Sequence, residues 1–287
     1  MNRKTFLRFT GLSNFVMISM MIFPLGLSIW LGMHFMTWNT INEPEFVGLA
    51  NFLEVLSDPK FWAAFRWTMW IILITVPAHV IIGFVMALLL DQVKGPMRPI
   101  FITGMLLPMI VVPVVGSIVF KKLFEPAGLA FWFFRVVLDQ QFVFNEITMK
   151  TIILAHTTWL TTPYAFMILF AGLQTLPPEQ IEAAAMDGAS RFQQTLYVVI
   201  PHLRTLFMLI FLMSIMDMFR LFDNVFVLTG QNPIYNADSL MTYNFRISMM
   251  VRRLGLGNAM AVLTVIAILV VLIPFLIFTY REQIEER

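Results

Sequence analysis

Long stretches of this chain contain no Asp, Glu, Lys or Arg. They cover residues 9–42, 67–90, 99–120, 151–178 and 254–280. Each exceeds the roughly 20 residues that an α-helix needs to cross a hydrocarbon core about 30 Å thick. A further run, 205–216, has only 12 residues before Asp217 interrupts it. It still reads as a span to about residue 222, with a polar outer end. The expected fold class is therefore all-α and integral to the membrane. Six transmembrane helices are expected near 12–37, 67–90, 99–120, 151–174, 203–222 and 257–280, in one domain spanning 1–287.

The composition agrees with lipid as the main solvent. Charged residues make up 13% of the 287, and the chain carries 29 Phe and 22 Met. A soluble domain would have about a quarter of its residues charged. The net charge of +2 and the absence of a basic block argue against nucleic acid as a partner. Cys is absent, which excludes disulfides and thiolate metal sites. His34, His79, His156 and His202 are scattered without metal-ligand spacing, so no metal site is expected.

Orientation rests on the first span. Arg3, Lys4 and Arg8 precede it, and no Lys or Arg follows before Lys60. Weighted to the first helix, the positive-inside rule places the N-terminus in the cytoplasm, and six spans return the C-terminus to the same side. The first apolar segment is too long for a signal-peptide core and lacks a small-residue cleavage site, so it reads as a retained helix. Between the third and fourth spans, "GLAFWFFRVVL" (128–138) is too short to cross. It suits a helix lying in the outer interface, or equally a loop-packing segment.

One polar element stands out among the spans, "TLPPEQIEAAAMDGASRFQQTLYVVIPHL" (175–203). Pro177 and Pro178 suit the end of one helix and the first turn of another. Glu179 and Glu182 fall where the helix dipole favours carboxylates. Ile181, Ala184 and Ala185 share a face at i, i+3, i+4, a short amphipathic helix with small side chains. Gly188 supplies the positive φ common at a helix C-terminus. Ser190 with Gln193 is a capping box that starts a second helix through Phe192, Leu196 and Val199 towards Pro201. A solvated connector needs neither the alanine face nor two capped helices, whereas a docking element uses both.

At these residues the chain resembles a known family. "EAAAMDGAS", followed by "VIP", resembles the EAA loop of binding-protein-dependent ABC importer permeases. "AGLQTLPPEQIEAA" upstream, "FDNVFVLTGQNP" downstream and "YNFRISMMVRRLGLGNAMAVLTVI" resemble the carbohydrate branch, of maltose type. "TGQNP" departs from the branch's "TGGP"-like residues. The likeness is strong from about Trp159 to the C-terminus and weaker before it.

The resemblance implies a type I ABC importer architecture in a bacterial inner membrane. It implies a heterodimer with a second homologous permease, two copies of a cytoplasmic ABC ATPase, and an external or periplasmic solute-binding protein. The cargo implied is a sugar, polyol or sugar derivative. Residues 177–200 would form the cytoplasmic coupling element, with Glu182, Ala183, Ala184, Asp187, Gly188 and Ala189 coupling to the ATPase. The chain has no G-x-x-x-x-G-K-[ST] run, so it is not expected to be an enzyme, and ATP and Mg are expected in the partner ATPase.

Candidate pathway residues come from two spans. Pro24, Pro77, Pro108, Pro113 and Pro163 recur near mid-span, and helix breaks at that depth are tolerated where they face protein or a water-filled cavity. In "HTTWLTTPYAF" (156–166), the hydroxyls of Thr158, Thr161 and Thr162 suit a polyhydroxylated solute. Trp159 and Tyr164 offer flat faces to a sugar ring. The same residues also suit hydrogen bonding between helices and ordinary packing. In "MDMFRLFDN", Asp217, Arg220 and Asp223 are spaced for one helical stripe, either as an ion-pair chain or, with Asn224, at a cavity mouth. A secondary transporter would show mid-depth coupling charges and an inverted repeat, which the chain lacks. An intramembrane enzyme on His79, His156 and Asp217 lacks a paired nucleophile.

Overall fold

The computed structural model describes residues 3–139 and 142–285, with the side chains of 3–9, 12, 275 and 278–285 outside that description. The orienting cations Arg3, Lys4 and Arg8 thus lie outside the described side chains. In chain order come α1 (Arg3–Gly32), β1 (His34–Phe35), β2 (Glu45–Phe46), α2 (Ala50–Ser57), α3 (Pro59–Asp91) and α4 (Met97–Ile110). Then follow α5 (Pro113–Phe124), α6 (Leu129–Val136), α7 (Glu146–Leu173), α8 (Pro178–Met186) and α9 (Arg191–Gln194). A π turn at Thr195–Val199 leads into α10 (Ile200–His202), α11 (Arg204–Phe219) and α12 (Asp223–Thr229). The chain ends with α13 (Leu240–Phe245), a π turn at Arg246–Met250 and α14 (Leu254–Glu285).

Ser13–Gly32, Pro59–Asp91, Glu146–Leu173 and Leu254–Pro274 are each long and apolar enough to cross a membrane, and the total reaches six if each of two bent helix pairs counts as one span. The third expected span is one of those pairs. It breaks after Ile110, and the chain from Pro113 to Val136 is bent 94° from α4. Pro113 explains the break: it has no N–H and biases Val112 away from helix, and Val112 adopts φ −57°, ψ 130°. The fifth, expected at 203–222, corresponds to α11 (Arg204–Phe219), which is bent 67° from Arg191–His202 before it. That preceding stretch passes through Pro201 and gives way only at Leu203.

The other mid-span prolines do not break their helices, contrary to expectation. Pro24, Pro77, Pro108 and Pro163 all lie inside continuous helices. In α7, Thr161 Oγ1 donates to the Thr157 carbonyl at 2.9 Å and Thr162 Oγ1 to the Thr158 carbonyl at 2.6 Å. These hydroxyls add hydrogen bonds to the turn that Pro163 weakens, one way a membrane helix tolerates proline.

The chain divides into two compact units. The first holds the residues up to Ala63 together with Tyr243–Val271. There β1 and β2 pair antiparallel, and Asn51 Nδ2 donates to the carbonyls of Gly32 and His34, both at 2.9 Å. Arg253 forms a bidentate pair with Glu54, and the Tyr243 hydroxyl bonds to Asp58. The second unit holds Ala64–Thr242 and the described residues from Leu272 on. Its core has two apolar clusters, one around Trp67, Ile71, Ile153 and Val225, the other around Val80, Phe166, Leu169 and Leu203. Gly83 lets α3 and α7 meet, since a Cβ there would lie 2.7 Å from the Phe166 nitrogen.

The segment 128–138 does form a helix. Along α6, Leu129, Trp132, Phe133 and Val136 make one exposed apolar face, while Phe134 turns to Phe142 with ring centroids 5.3 Å apart.

Candidate coupling element and translocation pathway

The polar element folds as its residue types dictate. Pro177 precedes α8 in extended backbone, Pro178 opens the helix, and Glu179 sits in its first turn. At the other end Gly188 takes φ +79°. Its N–H donates to the Ala185 carbonyl and that of Ala189 to the Ala184 carbonyl, each at 3.0 Å. This pair of bonds is a Schellman motif, which satisfies carbonyls that the helix end would otherwise leave bare. Ser190 and Gln193 then close the expected capping box: Gln193 N–H donates to Ser190 Oγ at 3.3 Å, and Ser190 N–H to Gln193 Oε1 at 2.8 Å.

The orientation of α8 could not be read from spacing alone. No residue of α8 is buried. Ile181 and Ala184 are half-buried, and Ile181 packs on the cluster around Leu203. Glu182, Ala183, Ala185, Met186, Asp187 and Gly188 are exposed, while Ala189 is half-buried. Ala184 and Ala185 therefore do not share one outward face, because the 100° step between them carries one inward and the other outward. Met186, 88% exposed, is the large apolar side chain that sequence reasoning passed over. A methionine between alanines and Asp187, in a stretch otherwise lined by small and polar residues, was the available signal.

The pathway candidates separate into groups. Thr158, Trp159, Thr162 and Pro163 line a cavity of about 860 Å³. Its other walls come from α3 (Ile82, Met86) and α4 (Ile100, Phe101, Gly104, Met105, Pro108). Trp159 is 38% exposed, with its ring 5.4 Å from that of Phe120 and 6.0 Å from His156. The hydroxyls of Thr161 and Thr162 spend their protons within the helix, on the carbonyls four residues back. Their oxygens keep acceptor capacity. Tyr164 is half-buried against the Leu203 cluster and does not line the cavity. Five residues on from Trp159, it points about 140° around the helix.

The expected stripe of Asp217, Arg220 and Asp223 does not form. The α11 helix ends at Phe219, and Asp223 begins a new helix after Leu221 and Phe222. Ser239 Oγ donates to the Leu221 carbonyl at 2.7 Å, and Phe222 adopts φ −123°, ψ −63°, so the helical path is interrupted there. Asp217, Arg220 and Asp223 are exposed, and among the described residues no ion pair joins them. Asn224 is buried, its Oδ1 3.4 Å from Ser117 Oγ on α5. His156, also fully buried, packs edge-on to Phe120 at 4.7 Å between ring centroids, and neither ring nitrogen has a partner among the described residues.

This arrangement is a set of membrane helices with a capped, outward-facing helical elbow between two spans. The model of the binding-protein-dependent transport system inner membrane component family matches residues 79–283, and the chain belongs to that family. It is similar to the trehalose transport permease SugA of Mycobacterium tuberculosis, 29% identical over 251 residues, covering 86% of this chain and 80% of that one. It is likewise similar to the trehalose/maltose transport permease MalF of Thermococcus litoralis, 29% identical over 267 residues, 91% of this chain and 88% of the relative. Among solved structures, a bacterial ABC transporter that imports the acidic polysaccharide alginate superposes with a TM-score of 0.79 at 16% identity, covering 96% of this chain and 98% of that one. The fold is that of a type I ABC importer permease.

Proposed function

We propose that the chain is a sugar-importing permease, paired with a second homologous permease and driven by two copies of a cytoplasmic ABC ATPase. An external solute-binding protein delivers the cargo, a sugar, polyol or sugar derivative. ATP and Mg act in the ATPase, and this chain contributes no catalytic residue. Both termini and residues 177–200 face the cytoplasm. The observation that carries this reading is the Gly188 elbow: two capped helices meet at φ +79°, and nothing lies within 4 Å of where a Cβ would stand. The elbow's outer side is open for a partner.

Glu182, Ala183, Ala184, Asp187, Gly188 and Ala189 form the coupling element in this reading, and Met186 joins them as an apolar anchor. Exposed apolar anchors of this kind carry much of the energy at protein interfaces. Thr158, Trp159 and Thr162 face the solute from the cavity wall, where an apolar ring and a few placed oxygens suit a sugar's two kinds of surface. Asp217, Arg220, Asp223, Asn224 and Tyr164 belong to the same pathway at other depths. The sugar-transport names of the relatives support the cargo class. The test is reconstitution with the sister permease, ATPase and binding protein, followed by uptake of labelled trehalose, maltose and a neutral amino acid. Uptake of the amino acid but of neither sugar would overturn the cargo assignment.

A further inference from the structure

Between the last residue of α7 and the first of α8 lie only Gln174, Thr175, Leu176 and Pro177. Two of them reach in different directions. Gln174 Oε1 accepts from Arg98 Nη2 at 2.8 Å, and its Nε2 donates to Asp91 Oδ1 at 2.9 Å. Arg98 opens α4 and also stacks over the Phe170 ring at 5.1 Å. Asp91 closes α3. Thr175 Oγ1 donates to the Gly172 carbonyl at 2.7 Å, which uses its one proton, so it accepts from His202 Nε2 at 3.0 Å. This four-residue link therefore holds the ends of α3, α4 and α10 at once.

The surroundings make this link mechanically significant. A cavity of about 780 Å³ lies behind the elbow, bordered by Asp91, Lys94, Gln174, Ile181, Glu182 and Arg191. The elbow is thus not packed solidly on the end of α3. Polar ties at Gln174 run from the link to the end of α3 through Asp91 and to α4 through Arg98, and α4 walls the 860 Å³ cavity through Ile100, Phe101 and Met105. A primary amide suits this place, because its oxygen accepts from a cation while its nitrogen donates to a carboxylate. Both bonds are charge-assisted and hence stronger than neutral ones. No apolar or singly functional side chain fills both roles.

We propose that Gln174 is a positioning residue that transmits movement of the coupling element to α4, through Arg98, and to α3, through Asp91. This rests on the reading of α8 as the coupling helix. Its role is to set the cavity wall according to the state of the ATPase, without touching solute.

The experiment uses the complete reconstituted importer and measures ATP hydrolysed per solute imported, with basal ATPase activity, assembly and melting temperature from the same preparation. Gln174→Leu keeps the volume and removes both bonds. It should raise ATP consumed per solute about tenfold, with assembly, basal hydrolysis and melting temperature unchanged. The double variant Gln174→Glu with Asp91→Asn reverses the polarity of one bond and keeps Arg98 paired, so it should restore coupling. Normal coupling in Gln174→Leu overturns the proposal. Loss of assembly or melting temperature in both variants also overturns it, since Gln174 would then serve packing. A wild-type complex whose ATPase ignores loaded binding protein would instead sink the importer reading itself, which separates the two failures.

Discussion

Ser214 Oγ on α11 lies 3.0 Å from Nε2 of His79 on α3, and both side chains are buried. His79 Nδ1 donates to the Thr75 carbonyl at 2.8 Å, so in the neutral ring Nε2 is the acceptor and the serine hydroxyl donates. The bond closes a polar gap between two apolar helices. Ser214→Ala leaves Nε2 unpaired away from water, and the expected loss is about 0.6 kcal/mol, with an upper end near 1.7 kcal/mol. A melting curve in detergent checks this, and an unchanged midpoint would show that another group satisfies the ring.

Gly83 offers a harsher test of how α3 packs, here against α7. A Cβ there would sit 2.7 Å from the Phe166 nitrogen and 2.9 Å from Ala165 Cβ, and the first is backbone that cannot rotate away. Gly83→Val should cost about 1–3 kcal/mol by overpacking. The expected readout is reduced membrane-inserted yield and a lower melting temperature. Wild-type values would mean that α3 and α7 can separate freely.

At Gly188 the cost is conformational and not steric. With nothing within 4 Å of the point where a side chain would begin, only φ +79° opposes a larger residue. Gly188→Val should strain the elbow by about 1–2 kcal/mol while insertion stays normal. ATP hydrolysis should then lose its response to solute-loaded binding protein. Full stimulation in the variant complex would remove the elbow from the coupling path.

The orientation of α8 distinguishes neighbours that spacing placed together. Met186→Asp and Ala185→Trp alter exposed positions and should lower ATPase recovery on co-purification. Ala184→Ser, at a half-buried position beside the protein, should leave recovery unchanged. The reverse ranking would mean that the inward face makes the contact.

Trp159 lines the cavity from α7 and has Phe120 behind it. Trp159→Ala should reduce uptake several-fold while assembly and basal hydrolysis hold. A fall in melting temperature with normal uptake per assembled complex would assign the ring to packing.

The sequence by itself determined the membrane helices, the elbow and its caps. These depend on local physics: absence of charge over a span's length, proline at a helix start, glycine where φ must be positive, and Ser190 three residues before Gln193. Tertiary structure alone decided which helices break and which faces turn outward. Pro113 breaks its span while Pro163 does not, because Val112 leaves the helical region in one case and threonine hydroxyls reinforce the turn in the other. Asp217, Arg220 and Asp223 have the spacing of a stripe. They do not form one because the path between them is interrupted at Phe222, near the carbonyl of Leu221 that bonds to Ser239, 18 residues along the chain. Gln174 gave no local signal, since its partners Asp91 and Arg98 lie 83 and 76 residues away. Hydrogen bonds over such separations follow from the packing of helices, which periodicity within any one segment does not encode.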